Sequence, residues 1–367
     1  MTDKTANANA QMSLQLSNFL QPENLIRGPI FVGGLDRCGK TTMQAFLSSH
    51  PNIAIPAVGS NFWSYFYGQY GDLRITENFE RCLTALMHYK HALYLQPDPE
   101  RIRKEFFEGS PTYARLFGLL HQHYAERAGK TRWGDQTGLI ERYADQVLAS
   151  YPGAVMIHMI RDPRDRYEAS IAMWPNGKGR CGGATARWKY SVALMRRNVS
   201  RYPGRYLPVQ YEKLVRQPEE TLRSVCEFIG ESYTPTMLTM DGSPGHREKL
   251  LQNAETSKQP LSEKYIGRFR KHLPKAEIAF IQQYAKNEMR QLGYTFEPLR
   301  FSPTERLKYE TWVRPANLAR MVSWLLIESL QQRFPRLAGR RPSDAMVLRS
   351  GRSGKSQPTT SAHQGEG

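Results

Sequence analysis

Residues 30 to 42, IFVGGLDRCGKTT, run from an apolar stretch through a glycine-rich turn into helix-forming residues. No other segment narrows the fold as much. Ile30 to Val32 reads as a buried strand, and Thr41 to Ser49 as a helix carrying Met43, Phe46 and Leu47. His50-Pro51 ends that helix, because proline disfavours helical backbone at the residue before it. Between strand and helix, Gly34 to Thr41 spells G-x-x-x-x-G-K-T. Glycines at 33, 34 and 39 let backbone N–H groups crowd around a phosphate, and the helix N-terminus adds its dipole. Arg37 and Lys40 supply charge, Thr41 and Thr42 supply hydroxyls, and Cys38 and Gly39 complete the turn. Anion binding here is the first expectation.

The rest of the chain fits around that unit. AVMIHMI (154–160) is nearly all apolar, as a strand covered on both faces would be. RYLPVQYEKL, from Arg205, reads as a strand leaving into a loop. Helices are predicted over 138–150, through Met173, and over 184–201, 218–229 and 274–292. Pro218 with Gly230, and Pro274 with Gly293, punctuate the last two. The aromatic-rich stretch 59–130 reads as mostly helical. Alternating strands and helices predict an α/β fold, a P-loop-type doubly wound parallel sheet flanked by helices. The expected organisation is a polar segment over 1–27, an α/β domain over 28–298, a helical extension over 299–335 and a basic low-complexity tail over 336–367, expected to be disordered.

Composition bounds the function. The 367 residues carry 51 basic and 34 acidic side chains, a net charge of +17, which calls for an anionic ligand or partner. Nucleic acid, an acidic membrane and a polyphosphorylated nucleotide all satisfy that demand. Cys38, Cys82, Cys181 and Cys226 form no CxxC pair, which argues against zinc and against a disulfide framework. No secretory h-region and no membrane-length apolar run is visible; MVSWLLIESL (321–330) is too short to span a bilayer. A reducing, cytoplasmic setting is the expectation.

Two further cationic segments bear on the ligand. IRDPRDRYEAS (160–170) follows the buried strand, at the carboxyl end where open α/β sheets bind ligands. Its Arg161, Arg164 and Arg166 are expected to form a cationic rim suited to bidentate phosphate contacts. YIGRFRKHL (265–273) sets Gly267 among Arg268, Arg270 and Lys271 in a loop ahead of a helix. Two phosphate-type sites, expected at opposite ends of the sheet region, exceed what ATP requires. They suit a nucleotide phosphorylated at both its 5′ and 3′ positions.

Taken in order, these segments resemble the sulfotransferase superfamily that uses 3′-phosphoadenosine 5′-phosphosulfate (PAPS). Gly34 to Gly39 occupies the place of the 5′-phosphosulfate loop, and His50 to Pro56 matches the H-P-x-I-x-x-P that follows. WGDQT (133–137) resembles W-G-[DE]-K-T-P, and Arg161 to Asp165 matches the 3′-phosphate element R-D-P-R-D. RYLPVQYEKL, with Tyr211, resembles the R-Y-E-D-L segment, and IGRFRKHL the loop that closes over the 3′-phosphate. The resemblance spans about residues 29 to 295. Lys40 stands where the family usually has threonine, and Cys38 replaces a common serine. Ala169 holds the usual serine position, with Ser170 one residue later, about 100° around a helix. AVGSNFW (57–63) carries no carboxylate where many members place a catalytic glutamate.

The resemblance implies sulfuryl transfer from PAPS to a hydroxyl or amine, with no metal. The acceptor would be a small molecule, glycan or lipid; no nucleic-acid partner is expected. The PAPS contacts would come from Arg37, Cys38, Gly39, Lys40, Thr41, Thr42, Arg161, Ser170, Tyr211, Gly267, Arg268, Arg270 and Lys271. Lys40 or Arg37 would neutralise the bridging oxygen. Asp135 is nominated as the base, with His158 and Asp36 behind it. NFWSYFYGQY (61–70) is expected to serve core and pocket wall. Two rivals stand beside this reading. GLDRCGKTT and DRYEASIA resemble thymidylate kinases, which would leave HPNIAIP and IGRFRKHL without a role. A non-catalytic nucleotide- or anion-binding protein is the other. The 306–355 stretch reads as a helix packed on the domain or as a peripheral membrane contact through Trp312, Trp324 and Leu325 to Ile327.

Overall fold

The computed structural model describes residues 27–173, 180–243 and 261–334, with positions 342, 347 and 348. The N-terminal segment but for its last residue, residues 174–179 of the glycine-rich excursion and most of the tail lie outside the described residues.

The apolar runs become strands of one five-stranded parallel sheet, in the order β2-β3-β1-β4-β5. These are β1 (Ile30–Gly34), β2 (Ile53–Ala54), β3 (Arg132–Gln136), β4 (Val155–Ile160) and β5 (Tyr206–Gln210). β1 and β4 are buried along their whole length, as central parallel strands covered by helices must be. The chain crosses over β1 in passing from β3 to β4, so the loops leaving β1 and β4 emerge side by side. Gly34 lies opposite Met159, and a Cβ there would stand 2.3 Å from the Met159 carbonyl oxygen. Glycine is what lets the two strand ends close up.

β5 is an edge strand, and Pro208 sits within it. Arg205 faces β4, its carbonyl accepting from the Met156 N–H at 2.9 Å; by alternation Pro208 points away from the sheet. The missing N–H costs no ladder bond there.

Helix α1 (Lys40–Ser48) follows β1, and short α2 (Phe62–Tyr65) follows β2. Three more helices follow α2 in the aromatic stretch: α3 (Thr76–Met87), α4 (Pro99–Phe106) and α5 (Tyr113–Arg127). The helix expected over 138–150 is divided. Leu139 is left-handed (φ 61°), a 3₁₀ turn covers Ile140–Tyr143, and α6 is Ala144–Ser150. α7 (Pro163–Met173) follows β4, and α8 runs Cys181–Arg201, starting earlier than expected. β5 passes into a helix rather than a loop: α9 (Tyr211–Arg216), then α10 (Pro218–Ile229), ended by left-handed Gly230.

The helix expected over 274–292 breaks at Ala285. α11 (Phe269–His272) is followed by α12 (Lys275–Tyr284) and α13 (Lys286–Gln291). The extension starts at α14 (Pro303–Lys308), where Ser302 and Glu305 form a reciprocal capping box. A π turn over Tyr309–Val313 leads into α15 (Arg314–Arg333), which packs along α8. Two tail positions expected to be disordered are instead placed: Val347 bridges Tyr89, and the Leu348 N–H donates to the His88 carbonyl at 2.8 Å.

Candidate active site

The β1–α1 turn owes its shape to three left-handed residues, Gly34 (φ 113°), Arg37 (φ 66°) and Gly39 (φ 92°). A Cβ on Gly39 would stand 2.5 Å from the Tyr211 ring, so glycine also lets α9 close against the turn. Lys40 folds back, donating to the Leu35 carbonyl at 2.7 Å. Burial lowers its pKa, with Cys38, Asp36 and Glu141 opposing. Cys38 is buried, which pushes its thiol up to about 11 and leaves it protonated. Thr41 is half-buried beside Lys40, Thr42 is buried, and Arg37 is exposed.

The arginines after β4 do not form an open rim. Arg161, Arg164 and Arg166 are all buried, and each donates to at least one backbone carbonyl. Arg164 is held by Asp162, Gln282 and the Thr295 carbonyl, and its guanidinium lies 4.1 Å from the centre of the Phe269 ring. Arg161 donates to the Arg37 carbonyl at 3.1 Å and to the Tyr265 carbonyl at 2.6 Å, with its guanidinium 4.6 Å from the centre of the Tyr211 ring. The two phosphate-type segments therefore do not lie at opposite ends of the sheet. One guanidinium spans them, at the carboxyl ends of β1 and β4. Arg161 Nε and Arg166 Nη1 are buried with no hydrogen-bond partner among the described residues.

Asp36 is a hub that the motif spelling does not reveal. It accepts from Arg166 at 3.0 Å, Arg187 at 3.4 Å and Ser170 at 3.4 Å. Burial pushes its carboxyl up, but Arg166, Arg187 and Lys40 outweigh that and hold it well below the usual carboxylate range. Ser170, one helical step from the family position, is thus turned toward Asp36.

The 265–273 segment is tied to the same helix. Asp165 accepts from the N–H groups of Gly267 (2.6 Å) and Phe269 (3.1 Å), and Gly267 is left-handed. Arg268 pairs with Glu168 at 3.0 Å, which also meets His272 at 2.7 Å. Arg270 pairs with Glu297 at 2.6 Å, and Lys271 is exposed.

A cavity of about 120 Å³ opens beside the turn, lined by Asp36, Asn61, Ser64, Tyr65, Gly138, Leu139 and Arg187. Within NFWSYFYGQY, Asn61, Ser64 and Tyr65 face it, while Phe62, Trp63 and Phe66 are core. Asp135 lies behind that wall. It accepts from the Ser60 N–H (3.2 Å), His121 (3.3 Å) and Thr137 (2.6 Å); these donors outweigh burial and lower its pKa. His158 is fully enclosed, bonded to Tyr206 at 2.6 Å and Ser191 at 2.9 Å, and burial keeps it neutral. Of the three nominated bases, Asp36 alone lines the cavity. Among the described residues no group of three or more His, Cys, Asp or Glu could hold a metal ion.

The family model described as "Sulfotransferase family" matches residues 29–235, more than half of the chain. This chain belongs to the sulfotransferase family. It is 22% identical over 329 residues to protein-tyrosine sulfotransferase 2 of Gallus gallus, covering 79% of this chain and 78% of that one. With the protein-tyrosine sulfotransferase of Drosophila melanogaster it shares 24% over 224 residues, 57% of this chain and 39% of the relative. Among solved structures, the sulfotransferase domain from the curacin biosynthetic pathway overlays with a TM-score of 0.46 at 15% identity, covering 75% of this chain and all of that one.

Proposed function

We propose that this sulfotransferase moves the sulfuryl group of PAPS to a hydroxyl or amine of a small polar acceptor, with carbohydrate the chemical class that best suits the cavity. What carries the reading is the pair of orphaned guanidinium nitrogens, Arg161 Nε and Arg166 Nη1, beside a glycine turn and a second cationic loop. A buried donor without an acceptor is costly, and an anionic ligand would remove that cost. A doubly phosphorylated nucleotide fits the donor set. Gly39 to Thr42 would take its 5′ end, and Arg161, Tyr211 and Gly267 to Lys271 its 3′ end.

The donor supplies an activated sulfuryl group: its sulfur–oxygen bond to the 5′-phosphate breaks as the bond to the acceptor forms, and adenosine 3′,5′-bisphosphate leaves. Lys40 and the α1 N-terminus would neutralise charge on the departing oxygen. Asp36, facing the cavity, takes the acceptor proton. A carboxylate held so far below its usual range is a weak base, so bond cleavage runs ahead of proton loss in this reading. Asp135 and Arg187 act by position, Asp135 by fixing the Ser60–Asn61 wall and Arg187 by orienting Asp36. A polar lining of amide, hydroxyl, carboxylate and guanidinium suits a polyhydroxylated acceptor, with Tyr65 offering a ring edge.

Calorimetry and transfer assays test the reading together. Adenosine 3′,5′-bisphosphate is expected to bind without magnesium, and Mg-ATP not to compete. Binding of Mg-ATP alone would turn the assignment to a nucleoside kinase. Transfer of labelled sulfate to a sugar panel, lost in Lys40→Ala, is the second arm. Nucleotide binding with no transfer to any acceptor would leave a non-catalytic binder.

A further inference from the structure

An ordinary surface helix buries its apolar side and offers its polar side to water. α15 departs from that on its outer side. Its inner face packs Leu318, Met321 and Trp324 on the domain and is anchored by polar groups as well. Asn317 accepts from the Gly182 N–H at 3.0 Å, Glu328 pairs with Arg142 at 2.8 Å with both side chains buried, and Gln332 donates to Tyr190. Its outer face is apolar. Val322 (52% exposed), Leu326 (60%), Ile327 (55%) and Leu330 (53%) stand in solvent, with Trp312 (74%) and Phe334 (45%) extending the stripe at its two ends. Single exposed apolar residues are ordinary, but a continuous row on one helix marks a contact surface.

Charge selects the occupant. Glu328 is the sole acidic residue from 311 to 334, and it is turned inward. Residues 311 to 355 carry nine basic and two acidic side chains. Two copies meeting through this face would bring like-charged segments together. An anionic lipid surface satisfies both halves of the pattern, taking the apolar row into its headgroup boundary and attracting the flanking cations. No described helix is long and apolar enough to cross a membrane, so the contact would lie along the surface. We infer that the outer face of α15 docks on anionic lipid. α8, which carries Tyr190 against Trp324, also carries Arg187 of the cavity, so docking would hold that cavity near the lipid plane.

The full chain is tested by co-sedimentation with vesicles of phosphatidylcholine alone and of equal parts phosphatidylcholine and phosphatidylglycerol. Binding to the mixed vesicles only is expected, with release at about 1 M salt, where screening is nearly complete. A Leu326→Glu/Leu330→Glu double variant should bind at least ~10-fold less, because the interfacial burial is lost. Its circular dichroism and its affinity for adenosine 3′,5′-bisphosphate should be unchanged, since neither residue touches the nucleotide site. The tryptophan emission shift on vesicles should shrink in Trp312→Phe. Equal sedimentation of wild type and double variant would overturn the inference. So would a concentration-dependent dimer that the double variant abolishes, since a second copy would then cover the face. The vesicle-binding and dimerisation outcomes do not depend on the donor or acceptor assigned above.

Discussion

The proposed nucleotide end and the proposed acceptor end of this site are built by different means. The nucleotide end uses contiguous segments at the ends of neighbouring strands, stitched by buried arginines that each grip several backbone or side-chain groups. The acceptor end is a wall gathered from the β2–α2 region, the turn after β3 and the N-terminal half of α8, with Asp36 the residue common to both. A side chain at the first end is tied into the frame of the fold. One at the second can change with less structural consequence. Nucleotide affinity should therefore respond to the stitched arginines and acceptor choice to the wall.

Lys40→Ala should give the largest effect, a fall of ~10²–10³-fold in sulfuryl transfer if it neutralises the departing oxygen. An equal loss for Arg187→Ala would erase the distinction between the ends. Arg161→Ala comes next. Loss of charged hydrogen bonds should weaken adenosine 3′,5′-bisphosphate binding by about 10- to 100-fold. Unpairing the Arg37 and Tyr265 carbonyls should also lower the denaturant midpoint. Arg187→Ala should raise the acceptor KM by about 10-fold, the worth of one charged contact, while leaving calorimetric nucleotide affinity nearly untouched. A matching drop in nucleotide affinity would place Arg187 at the wrong end.

Gly39→Ala should destabilise by about 1–2 kcal/mol from left-handed backbone alone, before the Tyr211 ring is displaced; urea titration reads this. The smallest effect concerns pH. Asp36 is depressed in the folded state, so its stabilising contribution is present above its ordinary range and lost only as pH falls through its lower folded value. The rate profile should stay flat through about pH 4, where an ordinary carboxylate would titrate. Removing one of its cations by Arg166→Gln should raise that acid limb toward the ordinary range.

This division also explains what could be read from the chain alone. Gly34, Gly39 and Lys40 announce themselves because strand, turn and helix are adjacent in sequence, and β4 announces itself by its unbroken apolar run. The ends of α10 were legible for the same local reason, Pro218 and Gly230. Arg187 was missed because nothing in ATARWKYS distinguishes it from any helical arginine; only the passage of α8 beside the β1 turn makes it a wall residue. Arg164 misled in the opposite sense. Its motif neighbours are functional candidates, yet its partners Gln282 and Thr295 come from over a hundred residues downstream and turn it into a brace. The break at Ala285 lay beyond local signals too, since the 274–292 periodicity runs through it.

Pro208 carries a consequence for how copies of this molecule can meet. A parallel sheet with an open flank invites another chain to extend it, and the flank offered by β5 lacks its central donor. The opposite flank, β2, is only two residues long. Neither margin can template a further strand, so crowding at high concentration should not propagate through the sheet, and association is left to side-chain surfaces that substitution can tune.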